Sequence, residues 1–311
     1  MVALPVAWSF IELVCKHVSC RIRFMIKPFI QISRWPNLLI VAGLQIIVYY
    51  RLLDFEHSVL STIDAFLLVI LTLLISAAGY YINDYYDSDI DRVNKPENWI
   101  VGNTLSTSLV LKVYKGIILV GAAIAIWIAL RLNMLLYLPV YLLAVVGLQI
   151  YSSRLKCSPF IGNLWVAIFC GSVILIMAAP DLIQQHAVII EPQFWFYIGF
   201  AFVITFYREV VKDVEDMEGD QQYHCRTFVV KYGKNAGRIL AVIAALVLLI
   251  MLYLWENREI NTTVKLGLYL LQGMVLASAV MFWWAKNKVE IHRASTLIKF
   301  VMVGGTLLLL F

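Results

Sequence analysis

The sequence predicts an all-α, polytopic membrane protein with nine transmembrane helices around a central cavity, and three observations predict it. Hydrophobic residues make up 62% of the 311 residues and charged residues only 14%, far from the balance of a soluble domain. The apolar residues gather into runs of about 15 to 20, near the length that crosses a hydrocarbon core. Lys and Arg residues are shared unequally between the segments joining those runs, as they are between cytoplasmic and external loops.

Residues 1–31 come first. Their opening fourteen are apolar and are followed by Lys16, Arg21, Arg23 and Lys27. A secretory signal has its positive charge before the apolar stretch, so the order is wrong for one. The segment reads as a helix lying on the membrane surface with its basic residues toward headgroups, or as a leader. The nine predicted spans follow, at Pro36–Leu53, Asp64–Ile82, Lys115–Leu130, Leu132–Tyr151, Phe160–Ala179, Phe194–Val211, Ile239–Trp255, Leu266–Trp284 and Leu297–Phe311. Only Arg131-Leu132-Asn133 marks the join between the third and the fourth. With the N-terminus in the cytoplasm, the external segments keep Arg51, Arg131, Arg258 and Lys265, and the other 21 of the 25 Lys and Arg residues face inward. The span count and the orientation therefore support each other. The net charge of +5 is topological, and argues for no nucleic-acid partner. Cys15, Cys20, Cys157, Cys170 and Cys225 show neither CxxC nor Cys/His metal spacing, so they read as free thiols.

Two acidic stretches end even-numbered spans. Asn83-Asp84-Tyr85-Tyr86-Asp87-Ser88-Asp89-Ile90-Asp91 follows the second, and Lys212-Asp213-Val214-Glu215-Asp216-Met217-Glu218-Gly219-Asp220 follows the sixth. On a helix, Asp84, Asp87 and Asp91 fall within an arc of about 60°, while Asp89 points elsewhere. Asp213, Asp216 and Asp220 repeat those offsets, and Glu209 lies one turn earlier on their stripe. A single acidic helix end is ordinarily a solvated face. Two with the same spacing, each ending an apolar span, call for something cationic. Four spans separate them, so the chain reads as two four-helix halves plus a ninth helix, each half presenting carboxylates at one cytoplasmic level.

Opposed carboxylate stripes suit hard divalent cations such as Mg2+, which takes one or two carboxylates together with phosphate oxygens. A diphosphate clamped between them would be neutralised as it leaves. Arg92, Arg154, Lys156 and Lys212 stand beside the stripes as candidate diphosphate contacts, although positive-inside topology alone explains basic residues there. In a bilayer, the fitting ligand is a diphosphate carrying a long hydrocarbon that lies between helices. A transporter or ion-binding protein using the same carboxylates is the alternative of another class. Transporter sites lie near the midplane on broken helices, and none of the nine predicted spans has a mid-course proline beside charges.

From Ile32 onward the chain resembles the UbiA superfamily of intramembrane prenyltransferases. Asn83, Asp84, Asp87 and Asp91 match its NDxxDxxxD motif, continued by Arg92-Val93-Asn94-Lys95-Pro96. Lys212-Asp213, Asp216 and Gly219-Asp220 resemble the KDxxDxxGD form. That form is found in branches making archaeal-type ether lipids and in branches prenylating chlorophyll precursors or homogentisate. Arg34-Trp35-Pro36-Asn37, Tyr151-Ser152, Leu155-Lys156, Gly162-Asn163 and Arg226-Thr227 are further echoes. The resemblance implies a nine-helix bundle over 32–311 and Mg2+-dependent ionisation of a polyprenyl diphosphate. Asn83, Asp84, Asp87 and Asp91 would hold one metal–diphosphate unit, Asp213, Asp216 and Asp220 the other, with Lys156 and Lys212 on the diphosphate. The acceptor it implies is a prenylglycerol phosphate or an aromatic compound of quinone synthesis. Many members carry Arg-Pro where this chain has Asn98-Trp99.

Overall fold

The computed structural model describes residues 26–53, 58–94, 96–184 and 192–311. Most of the predicted leader, with Cys15 and Cys20, lies outside the described residues. The described chain is helical: α1 (Ile26–Ile32), α2 (Trp35–Arg51), α3 (Thr62–Tyr86), α4 (Ser88–Asn94), α5 (Thr107–Arg131), α6 (Tyr137–Ser153), α7 (Ile161–Ile183), α8 (Pro192–Gln222), α9 (Phe228–Tyr232), α10 (Lys234–Glu256), α11 (Thr262–Trp284) and α12 (Lys288–Leu308). Nine of these are long, and they occupy the nine predicted runs. Six (α3, α5, α7, α8, α10 and α11) are individually long and apolar enough to cross a membrane. The pair α1 and α2, bent by 55°, makes a seventh, and α6 is a shorter apolar helix. On length and composition alone, six helices, or seven with the bent pair as one span, qualify as crossings among the described residues.

Local chemistry sets the helix starts. Ser61 accepts from the Asp64 amide and Ser106 from the Leu109 amide, capping α3 and α5. Asn287 accepts from the Glu290 amide while the Glu290 carboxylate reaches back to the Lys286 amide, a reciprocal cap on α12. At the abrupt α5–α6 join, Asn133 adopts a left-handed backbone (φ 52°), which asparagine tolerates better than most residues.

The helices pack as two antiparallel groups. In the first, α3 lies against α2, α5 and α6; in the second, α8 lies against α7 and α10, and α10 against α11. α7 touches α2 and α3, and α12 closes the ring against α2, α8 and α11. α8 is the central helix, with Phe194, Tyr197, Ile204, Val210 and Val211 buried. Outward residues such as Leu119, Leu130, Leu143 and Leu270 are well exposed, the arrangement expected where the outer solvent is lipid. With no hydrophobic drive between helices in lipid, buried polar contacts help join them. Gln45 on α2 donates to Thr72 on α3 and to the Val173 carbonyl on α7, and Tyr207 pairs with Ser278 at 3.0 Å.

Three expectations are corrected. Cys157 and Cys225 form a disulfide, while Cys170 stays free. The two half-cystines are 68 residues apart and meet only because the loops after α6 and α8 converge. Second, the first acidic stretch is not one helix: α3 ends at Tyr86 and Asp87 sits at the break before α4. The Asp91 amide still bonds the Asp87 carbonyl at 2.7 Å, preserving a helix-like step. Third, α7 does not stop at Ala179. It continues through Pro180 to Ile183 and buries Asp181, which accepts from Ser58 Oγ and the Val59 amide. A proline beside a charge is thus present in a long helix, at the end of the bundle away from the acidic motifs.

Candidate active site

A cavity of about 360 Å³ lies between the two groups of helices. Its wall on α3 runs from Leu68 to Asn83, roughly 22 Å at the helical rise. On α6 the lining extends from Tyr137 to Tyr151. The far end is apolar, with Leu68, Leu71, Ile75, Val140 and Ile176. The other end gathers the charges: Asp91, Glu209, Asp213, Asp216 and Asp220 with Arg34, Lys156, Arg208, Lys212 and Lys299.

The second motif reaches this end on an unbroken α8, so Asp213, Asp216 and Asp220 share the face that lines the cavity. Asp213 accepts from Asn163 Nδ2 at 2.9 Å, and Asp220 is buried. The first motif is arranged differently. Asn83 and Asp91 line the cavity, whereas Asp84 and Asp87 lie behind cations. Arg34 donates to Asp84 Oδ1 at 2.7 Å, and Lys156 is in contact with the buried Asp87, which also accepts from Asn83. Burial works against a charged Lys156, but the Asp87 carboxylate outweighs it and holds the lysine protonated, its pKa raised. Asp89 and Glu218 are exposed and take no part in the lining.

Of the basic candidates, Lys156 and Lys212 face the cavity; Arg92 and Arg154 do not. Both are exposed, and Arg92 lies over the Trp99 ring at 5.7 Å. Their distance from the cavity follows from the break at Asp87 and from the tight turn into Leu155–Cys157.

Asn94 joins the two motifs. Its Oδ1 accepts from the Gly219 amide at 3.1 Å, and its carbonyl accepts from Lys288 Nζ at 2.7 Å. A Cβ on Gly219 would lie 2.4 Å from Asn94 Oδ1, so any larger residue there must displace Asn94. Gly162 has a similar role: a Cβ would come 2.8 Å from the Leu155 carbonyl and 3.2 Å from Lys156 Cα, so α7 packs directly beneath the lysine's turn.

Among the described residues, no three acidic, histidine or cysteine side chains stand close enough to hold a metal ion. The donor chemistry nevertheless fits Mg2+. The cavity end offers hard oxygen donors from both motifs, and this cation completes its octahedron with phosphate oxygens and water.

Arg34, Asn163, Arg208, Glu209 and Lys299 are also part of this end of the cavity. Arg34 and Asn163 lie within family-like echoes of the sequence. For Lys299 the available signal was a charge placed inside the last apolar run, which by default marks a site.

This arrangement defines an integral, multi-pass membrane protein whose cavity combines a charged head site with an apolar body. The chain belongs to the UbiA prenyltransferase family, whose model matches residues 55–303, and is a prenyltransferase. It is 29% identical to the digeranylgeranylglyceryl phosphate synthase of Methanosphaera stadtmanae over 281 residues, covering 89% of this chain and 96% of the relative. A solved structure of a digeranylgeranylglyceryl phosphate synthase superposes with TM-score 0.63 at 20% identity, over 91% of this chain and 96% of the other. A UbiA homolog from Archaeoglobus fulgidus bound to GPP and Mg2+ gives 0.59 at 15% identity, over 91% and 100%.

Proposed function

We propose that the protein transfers a polyprenyl group from a polyprenyl diphosphate to a membrane-associated prenylglycerol phosphate, in a Mg2+-dependent reaction at the cytoplasmic face. The observation that carries this reading is the cavity itself, lined at one end of an apolar slot by carboxylates of both motifs together with Lys156 and Lys212. The names of relatives such as that from Methanosphaera stadtmanae support the acceptor class. The structure solved with GPP and Mg2+ supports the donor class and the metal. Nine crossings with the N-terminus inside follow from the Lys and Arg distribution.

In this reading the tail lies along α3 and α6, and the diphosphate rests between Asp91 and the α8 carboxylates. Asn83, Asp84, Asp87, Asp91, Asp213, Asp216 and Asp220 would hold Mg2+, which would supply positive charge to the diphosphate. Lys156 and Lys212 add donors to the same oxygens. Asn163 orients Asp213. The apolar lining excludes water, which would otherwise compete with the acceptor hydroxyl.

The test is mass spectrometry of products from membranes offered a panel of prenyl diphosphates with prenylglycerol phosphate and aromatic acceptors. A diprenylglycerol phosphate is the expected product, and excess EDTA should abolish it. Products formed only on aromatic acceptors would refute the acceptor assignment, and full turnover in EDTA would refute the metal.

A further inference from the structure

We infer that Arg34, Arg208 and Lys299 form a second anion site, beside the diphosphate site, that holds the phosphate of the acceptor. The inference rests on the prenylglycerol phosphate reading above.

The three cations come from the α1–α2 junction, α8 and α12, and all three line the cavity. They gather where α12 closes against α2 and α8. Tyr80 lies among them: the Arg34 guanidinium is 4.8 Å from its ring centre, and Arg34 and Arg208 both act electrostatically on its hydroxyl. Lys299 in turn feels the like charges of Arg208 and Arg34. Arg34 has a left-handed backbone (φ 50°), a strained conformation for a non-glycine residue. The Asp84 and Tyr80 contacts hold it there.

The local carboxylates do not use up this charge. Asp84 is taken by Arg34 and Glu209 by Arg208, and Glu215, which also acts on Lys299, bonds His292. Lys299 is left half-buried in an apolar stretch, without an ion pair or hydrogen bond among the described residues. Arg208 Nε is likewise buried with no partner. A half-buried ammonium beside two arginines is costly unless an anion completes the group. A phosphomonoester matches it, because a guanidinium fork and an ammonium together satisfy several phosphate oxygens.

Position sets this site beside the diphosphate. Lys156 lies in the turn between α6 and α7 and acts on Asp87 and Asp220, and Lys212, one turn beyond Arg208 on α8, acts on Asp213 and Asp220. Arg208 precedes Asp213 by five residues, roughly 8 Å along α8, and Lys299 lies roughly 16 Å along α12 from Lys288, which reaches Asn94. An acceptor anchored at the α2–α8–α12 wall presents its free hydroxyl across the cavity to the prenyl carbon that leaves the diphosphate.

The experiment measures binding to the purified protein in detergent with excess EDTA, which removes metal-held phosphate. Geranylgeranylglyceryl phosphate and its dephosphorylated alcohol are compared. The wild type should bind the phosphate at least tenfold more tightly. Lys299→Met should bring the two within twofold of each other, and Lys299→Arg should keep the preference. The Lys299→Met protein should melt no lower than wild type, since an uncompensated charge is replaced by an apolar chain. In turnover, Lys299→Met should raise KM for the acceptor at least tenfold and leave KM for the prenyl diphosphate within twofold. Equal wild-type affinities, or a preference that survives Lys299→Met, overturn the site. A rise in the diphosphate KM instead would assign the cations to the donor and also overturn it. Failure of the acceptor reading shows separately, as products on aromatic acceptors alone in the wild type.

Discussion

Replacing Gly219 with alanine sets two physical effects against each other, and their magnitudes decide the outcome. Gly219 is inside α8, where alanine gains about 1 kcal/mol of helix stability over glycine. By that rule the substitution is stabilising. The new Cβ, however, would lie 2.4 Å from Asn94 Oδ1 and 2.5 Å from its Cγ and Nδ2. Asn94 is buried and held on two sides, by the Gly219 amide through Oδ1 and by Lys288 through its carbonyl. Overpacking of this kind costs about 1–3 kcal/mol, and the displaced hydrogen bond costs about 1 kcal/mol more. The net loss is about 1–3 kcal/mol. Because Asn94 ends the helix that carries Asp91, relief of the clash moves Asp91 away from Asp216 and Asp220. If that energy is lost from the transition state, kcat/KM falls roughly 5- to 150-fold. The assay is prenyl transfer by purified Gly219→Ala, with melting temperature followed in parallel. Asn94→Ala removes the obstacle, so the Gly219→Ala/Asn94→Ala double variant should be no worse than Asn94→Ala alone. Activity within twofold of wild type in Gly219→Ala, or losses that simply add in the double variant, would refute the reasoning.

Three further outcomes follow from the same structure. Asp87→Asn and Asp216→Asn should each reduce turnover roughly a hundred- to ten-thousandfold, because metal-assisted charge stabilisation is worth several kcal/mol. The two losses should be strongly non-additive; Asp89→Asn and Glu218→Gln, both exposed, should stay within a few-fold, and steady-state kinetics on these variants decides the matter. Cys157→Ser and Cys225→Ser break one link, so each should lower the melting temperature by a similar amount and the double variant no further; additive losses would deny the bond. Exposed Lys231 on α9 should react with a membrane-impermeant amine reagent only from the cytoplasmic side, and labelling from outside intact cells would reverse the orientation.

Features governed by local sequence were legible, and those governed by the meeting of distant segments were not. The nine long helices could be read because apolar runs and their caps are local. The α8 stripe could be read because Asp213, Asp216 and Asp220 lie on one unbroken helix, whose period fixes their common face. The same period misplaced part of the first motif: it gave the spacing of Asp87 and Asp91, but not the break at Asp87 or the cations that hold Asp84 and Asp87. Those cations come from 50 and 69 residues away, and no short-range rule selects them. The Cys157–Cys225 bond belongs to the same class. Its partners carry no spacing signal, since their meeting depends on how α6 and α8 end in the assembled bundle. Gly219 shows a middle case. Its place in the KDxxDxxGD-like pattern was visible, but the reason for a glycine is Asn94, which belongs to the other motif. The glycine of one acidic stretch and the asparagine that ends the other are thus two halves of one contact. That contact ties the end of the first acidic stretch to the end of the second.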